Sequence, residues 1–319
     1  MIGGNDNMKP KIAVIVPVYK AEKFIGEGLE CLLNQTLKDI KVVCVNDASP
    51  DNSLAIIQDY AKKDDRVVVL NHEQNLGASQ SRNDGLDYVC QNLPDVEYVA
   101  FFDADDKIEL DAYEKCYNEA KEHNADIVNF NFLPSSYWKY KTEANGEVVE
   151  YENNCIESIF DYQEFYTFIV CWSKIYKKEL VENVRFPKQK FFEDGGFAYK
   201  VLPRAKKLRV IPDTLYQYNI ENSDSVCGKI DELNRLKDIF KTMKDTLVDW
   251  QQLGIADKYK YQYVKHILLY TSLVCPNVLE GDYSRDLSEN LQINVPEEIS
   301  ANNVPEETKL ILRKMNSKK

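Results

Sequence analysis

Apolar residues follow two rhythms along the first hundred positions. Ile12-Ala13-Val14-Ile15-Val16 is a continuous run of the kind a strand buried on both faces requires, and Pro17, with no N–H to give a ladder, is expected to end it. Between residues 21 and 37 the period changes, and Ile25, Leu29, Leu32 and Leu33 fall on one helical face. Residues 40–45 and 66–70 read as further strands, around a helix that carries Leu54, Ile57 and Ala61 and that Asn52 or Ser53 caps. Another apolar run, Tyr98 to Phe102, follows a helix that opens near Gly77. This alternation predicts right-handed crossovers, a mostly parallel Rossmann-like sheet, and ligand loops at the carboxyl ends of the strands.

The second half is less regular. Residues 110–123 read as a helix, 125–132 as a strand, 158–170 as an amphipathic helix and 208–211 as a short strand. Asn145-Gly146 between alternating segments signals a hairpin across residues 137–151. A polar loop is expected at 216–225. Beyond it Leu233, Leu236, Ile239 and Phe240, and then Tyr263, Ile267, Leu268 and Tyr270, recur at helical spacing. The expected organisation is a domain over residues 9–228, in two halves that divide at about 106, and a helical C-terminal region over 229–319. Residues 1–8 read as a leader or a cloning remnant before a second start at Met8.

Composition narrows the classes. With 319 residues the chain can bury a full core, and 40 basic against 52 acidic residues, a net charge of −12, exclude a dedicated nucleic-acid binder with a basic face. Eight cysteines, none in a Cys-x-x-Cys pair, read as buried thiols of a reducing cytosol. The three histidines lack zinc-ligand spacing. No apolar run has the length of a bilayer span, so membrane contact is expected to be peripheral, through the basic C-terminus with Lys309, Arg313, Lys314, Lys318 and Lys319.

The candidate chemistry is acidic. Phe101-Phe102-Asp103-Ala104-Asp105-Asp106 empties a buried strand into three carboxylates. In an extended segment Asp103 and Asp105 share a face and Asp106 takes the other, which puts two hard oxygen ligands for Mg²⁺ or Mn²⁺ at the rim. The alternative is that Asp105 or Asp106 merely starts the next helix. After the third strand, Gly77 leads into a helix whose first turns carry Arg82, a cradle for phosphate or else a surface ion pair with Asp84 or Asp87. Phe191-Phe192-Glu193-Asp194-Gly195-Gly196 sets two acids between aromatics and glycines, as suits a general base in a partly apolar cleft, or equally a helix cap. The loop after the first strand has no Gly-x-Gly-x-x-Gly, which disfavours a dinucleotide-binding oxidoreductase.

Taken together these segments resemble the family 2 inverting glycosyltransferases of the A-type glycosyltransferase fold, over about residues 11–225. Val14 to Tyr19 with Glu22 resembles that family's opening strand and loop, and Val45-Asn46-Asp47-Ala48-Ser49-Pro50-Asp51 its Val-Asp-Asp-Gly-Ser-x-Asp nucleobase loop. Asn75-Leu76-Gly77 through Arg82-Asn83 is similar to its Asn-x-Gly...Ala-Arg-Asn segment, with Ser81 for the usual Ala, and Asp103-Ala104-Asp105 to its Asp-x-Asp. Trp172-Ser173-Lys174-Ile175-Tyr176 and Arg185-Phe186-Pro187...Glu193-Asp194 resemble its acceptor-side motifs. Replacing the usual glycine by Ala48 requires a negative φ there.

The resemblance implies a UDP-sugar donor, a glycan or lipid-linked acceptor, and Mn²⁺ or Mg²⁺. It assigns the nucleotide pocket to Pro17, Tyr19, Glu22, Asp47, Arg82, Asp103 and Ala104, with Asp47 on the uracil edge. Asp105 with Asp103 would hold the metal, Asp194 would be the base supported by Glu193, and Asp106, Trp172 and Lys174 would contact sugar or acceptor. The expected setting is bacterial surface-glycan synthesis in the cytoplasm, at the inner face of the membrane. Two other readings are a nucleotide-sugar binding module without catalysis and a sugar nucleotidyltransferase. The latter should carry a Gly-rich basic loop where this chain has Pro17-Val18-Tyr19-Lys20.

Overall fold

A computed structural model of the chain describes residues 9–133, 148–153, 155–161, 169–219 and 230–275. The leader at 1–8, the Asn145-Gly146 turn, most of the polar loop after Tyr218 and the basic C-terminus lie outside the described residues. The residues divide into two compact units, 1–188 with 197–223, and 189–196 with 224–319.

The first unit opens with β1 (Ile12–Val18), α1 (Ile25–Leu33), β2 (Ile40–Asn46), α2 (Ser53–Lys63), β3 (Val67–Asn71), α3 (Ala78–Asn92) and β4 (Tyr98–Phe101). It continues with β5 (Lys107–Ile108), α4 (Ala112–His123), β6 (Ile127–Leu133), β7 (Val149–Glu152) and α5 (Glu157–Asp161). After these come β8 (Lys174–Lys177), α6 (Lys178–Val181), α7 (Glu193–Val201), whose first four residues count with the second unit, and β9 (Lys207–Gln217). Among the described residues nine strands form one sheet in the order β3-β2-β1-β4-β8-β6-β9-β5, with β7 paired to β9. The segment β3-β2-β1-β4 is parallel, as the strand–helix alternation predicted, and β8 then enters antiparallel between β4 and β6. The result is a mixed α/β fold.

Burial follows the pattern of the sequence. All five residues from Ile12 to Val16 are buried, and Ile25, Leu29, Leu32 and Leu33 turn the same face of α1 inward. Gly85 lets α3 sit directly on β1, since a Cβ there would lie 2.4 Å from Ile15 Cγ2. Pro17 does not end β1. Ile15 accepts from Phe102 N on the β4 side, and Pro17, two residues on, faces that same side beyond the last β1–β4 pair, so its missing N–H costs no ladder bond. β9 is also longer than the expected 208–211. Its pairing with β6 shifts register between Asn129 and Phe132, and Asn131 Nδ2 donates to Pro212 O at 3.1 Å to cover the irregularity that hid the continuation.

Among its described residues the second unit holds α8 (Glu232–Gln252), capped by Asp231, which accepts from Asn234 N, and α9 (Ala256–Val274). Trp250, Met243, Ile239, Tyr263 and Ile267 are buried in it. His266 is buried as well, and burial lowers its pKa from 6.5 to about 3. A folded pKa below the unfolded value means that the unfolded chain takes the proton first. The contribution is whole above pH 6.5 and is lost as pH falls toward 3, by about 1.4 kcal/mol per pH unit. Urea denaturation followed by helical circular dichroism between pH 7 and 5 should therefore slope more steeply for the wild type than for His266→Gln; parallel slopes would contradict this.

Candidate active site

The parallel strands deliver the candidate residues to one rim. Because β1, β2 and β4 run in the same direction, Val18 and Tyr19, Asn46 to Ala48, and the residues after Phe101 leave the sheet side by side.

The acid cluster is a tight turn and not an extended segment. β4 stops at Phe101, and Asp106 N donates to Asp103 O at 3.1 Å. Alternation of faces holds only while the backbone stays pleated, so the expected pairing of Asp103 with Asp105 on one face of a strand is corrected here. Asp103 and Asp105 are half-buried, and Asp106 is turned inside. Both ends of the turn are tethered. Arg82, 4% exposed, donates from Nη2 to Asp103 Oδ1 at 2.8 Å and lies 5.4 Å from the centre of the Phe186 ring. Tyr216 donates from its hydroxyl to Asp106 Oδ2 at 2.7 Å and accepts from Asp103 N at 3.1 Å, while Asn219 N donates to Asp106 Oδ1 at 2.7 Å. Burial, and after it the charges of Asp103 and Asp105, hold the Asp106 carboxyl well above the usual carboxylate range.

The turn therefore concentrates negative charge that a cation would relieve. Among the described residues no three His, Cys, Asp or Glu side chains form a metal-holding group. Mg²⁺ and its like are commonly held by one or two carboxylates and completed by substrate phosphates, so Asp105 with Asp103 fits as the protein's half of such a site.

The loop after β2 is organised from within. Asp47 is buried, and its carboxylate accepts from Leu76 N at 2.7 Å and Gly77 N at 2.8 Å, with His72 Nδ1 2.8 Å from Oδ1. The other nitrogen of His72 stands 2.9 Å from Asp84 Oδ2, without hydrogen-bond alignment. Asp47 thus ties the loop to the start of α3. Its neighbour Asn46 donates to Asn71 Oδ1 at 2.8 Å, and its own Oδ1 is buried without a partner among the described residues. Ala48 has φ +53°, which corrects the expectation of a negative angle: alanine occupies the left-handed position that glycine would hold at no cost.

Tyr19, 44% exposed, is the open aromatic surface of this rim. Glu22 Oε2 accepts from Asn52 N and Nδ2 at 3.0 and 3.2 Å, so that side chain fastens the first loop to the second. Ala104 is buried within the turn. Trp172 stacks on Tyr216 at 4.5 Å and on Tyr218 at 5.6 Å, beneath the residue that holds Asp106. Lys174 is buried in β8, and its ammonium donates to Val170 O and Ser173 Oγ. Glu193 and Asp194 open α7 and belong to the second unit. A cavity of about 450 Å³, lined by Asp126, Lys177, Arg204, Lys206 and Lys207 among others, lies at the opposite rim and contains none of these residues.

Tyr216 and His72 are contributors that the sequence reading left without a role. A histidine three residues before the Asn75-Leu76-Gly77 segment could have suggested one of them. Nothing local marks the other, since Tyr216 and Asp106 are 110 positions apart.

Residues 13–200 match the family profile described as glycosyl transferase family 2. The chain belongs to that family, and its sheet and terminal helices are those of the A-type glycosyltransferase fold. Glycosyltransferase GlyA of Streptococcus pneumoniae is 30% identical over 282 residues, 86% of this chain and 38% of GlyA, so the chain spans well under half of that relative. The structure of Staphylococcus aureus TarS 1–349 in complex with UDP-GlcNAc superposes with a TM-score of 0.74 at 21% identity, over 95% of this chain and 87% of the other. The mannosyltransferase PcManGT from Pyrobaculum calidifontis, in complex with GDP-Man and Mn²⁺, superposes with a TM-score of 0.56 at 14% identity, over 98% and 88%.

The tether on Asp106 is testable. Tyr216→Phe leaves a buried carboxyl oxygen and the Asp103 N–H without a partner, and should cost about 1–3 kcal/mol in urea denaturation. A loss below ~0.5 kcal/mol would mean that the turn holds itself.

Proposed function

We propose that the protein transfers a sugar from a UDP-sugar to a hydroxyl of a glycan or lipid-linked acceptor with inversion, in bacterial surface-glycan synthesis. The observation that carries the reading is the Arg82–Asp103 ion pair at the acid turn, on the rim where the parallel strands end, in a family 2 chain. A cation and an acid held this close suit a diphosphate and its counter-ion. Tyr19 offers a ring to the nucleobase, and the loop that Asp47 and Asn46 organise lies beside it. The similarity to TarS, whose structure holds UDP-GlcNAc, favours uridine, and that to PcManGT, whose structure holds Mn²⁺, favours a metal. Asp105 with Asp103 would hold Mn²⁺ or Mg²⁺, whose chemistry is to neutralise charge on the departing diphosphate.

In the transfer an acceptor oxygen bonds to the anomeric carbon as the bond to the diphosphate oxygen breaks, and UDP leaves. The acceptor's proton passes to the Asp194 carboxylate, with Glu193 beside it. A single displacement needs no second nucleophilic carboxylate, and an α-linked donor gives a β-linked product. Work at the cytoplasmic face of the membrane, with the basic C-terminus on anionic lipid, completes the proposal. Among the described residues no helix is long and apolar enough to cross a membrane.

Asp194→Asn should lower turnover of UDP-sugar by roughly 10²-fold or more while UDP affinity stays within about twofold. Unchanged turnover would move the base to Glu193, and loss of UDP affinity would place Asp194 in the donor pocket.

A further inference from the structure

The segment that carries Glu193 and Asp194 is fastened by the helices of the second unit. Asp238 of α8 accepts two backbone N–H groups, from Lys190 at 3.2 Å and from Phe191 at 3.0 Å. Gln189 Nε2 donates to Thr242 Oγ1 at 2.6 Å and to Phe191 O at 2.7 Å. The Arg235 guanidinium lies 5.3 Å from the centre of the Phe191 ring, and Tyr270 of α9 stacks on Phe192 at 4.6 Å. Arg235, Asp238 and Thr242 are three and four residues apart and so form one stripe along α8. Every residue from Gln189 to Phe192 is touched by that stripe or by Tyr270.

What these contacts hold is a backbone that would not hold itself. Phe192 has φ +61°, a left-handed conformation that costs a large side chain of order 1–3 kcal/mol and persists only when its surroundings impose it. The conformation turns the Phe192 ring back over the first turn of α7, where a Cβ on Gly195 would stand 2.5 Å from Phe192 Cζ. Glycine at 195 and the left-handed Phe192 are therefore one device. Together they fix the backbone from which Glu193 and Asp194 project.

We propose that Asp238, with Arg235 and Tyr270, is a positioning residue for Asp194, so that the C-terminal helical pair serves turnover by aiming the base. The proposal rests on the reading of Asp194 as the base. None of the contacts named above is to a residue assigned to the donor, which separates its signature from that of general damage. Removing the acceptor of two N–H groups lets the segment relax, and a base displaced by about 1 Å can cost up to about 10²-fold.

The experiment measures kcat per UDP-binding site, counted by calorimetric titration, in the full chain for wild type, Asp238→Ala, Asp238→Asn and Asp194→Asn. Asp238→Ala should lower kcat per site about tenfold or more with the UDP Kd and the donor KM within about twofold of wild type. Asp238→Asn, which keeps one acceptor oxygen, should fall between the two. If Asp238→Ala reduces the number of UDP-binding sites but leaves kcat per site unchanged, Asp238 merely stabilises the fold and the proposal is overturned. Should Asp238→Ala fail to fold, Tyr270→Leu is read by the same criterion. Asp194→Asn separates the two ideas: if it retains turnover, the base assignment fails, and if it alone collapses while Asp238→Ala does not, only the positioning role fails.

Discussion

Three carboxylates crowded into one turn repel each other, and the site is built around keeping them there. Asp103 is held by the Arg82 guanidinium, and Asp106 is taken out of water and given two donors, Tyr216 and Asn219. Asp105 stays half-buried at the rim. Burial, and after it the charges of Asp103 and Asp105, raises the pKa of Asp106. The rest of the first unit serves to hold this turn: β1 and β4 aim it, α3 brings Arg82, β9 brings Tyr216, and Trp172 is stacked behind.

Much of this half of the fold was legible because its information is local. A run of five apolar residues, a helix with period 3.6 and a cluster of turn formers each declare themselves within a dozen positions, and the parallel sheet follows from their order. The same reasoning failed where geometry departs from a regular element. Period two cannot anticipate that Asp106 N closes back on Asp103 O, nor that Pro17 sits beyond the last pair with β4 and so interrupts nothing. Ala48 in the left-handed region is a further case, since residue type alone favoured the opposite sign of φ. Asp47 was legible as important, but the chain itself supplies partners for both of its oxygens, in Leu76, Gly77 and His72.

Long-range partners account for the rest. Tyr216 meets Asp106 across 110 positions, and Asp238 meets Phe191 across 47. Neither pair leaves a spacing signature, because the sheet and the helical pair bring them together only after folding. The C-terminal helices, read from sequence as an appendage, claim the eight residues from Gln189 to Gly196 as part of their own compact unit. Phe192 explains why that segment needs them: a left-handed phenylalanine is stable only where stacking on Tyr270 and the hydrogen bonds to Asp238 enforce it.

The central claim is that the acid turn is half of a metal–diphosphate site which the donor completes. Calorimetric titration of UDP into the protein, with Mn²⁺ or with a chelator and for wild type and Asp105→Ala, tests it most directly. The account predicts binding that strengthens by tenfold or more with the metal in the wild type, about 1.4 kcal/mol, and that loses this dependence in Asp105→Ala. UDP affinity indifferent to the metal in both proteins would contradict it.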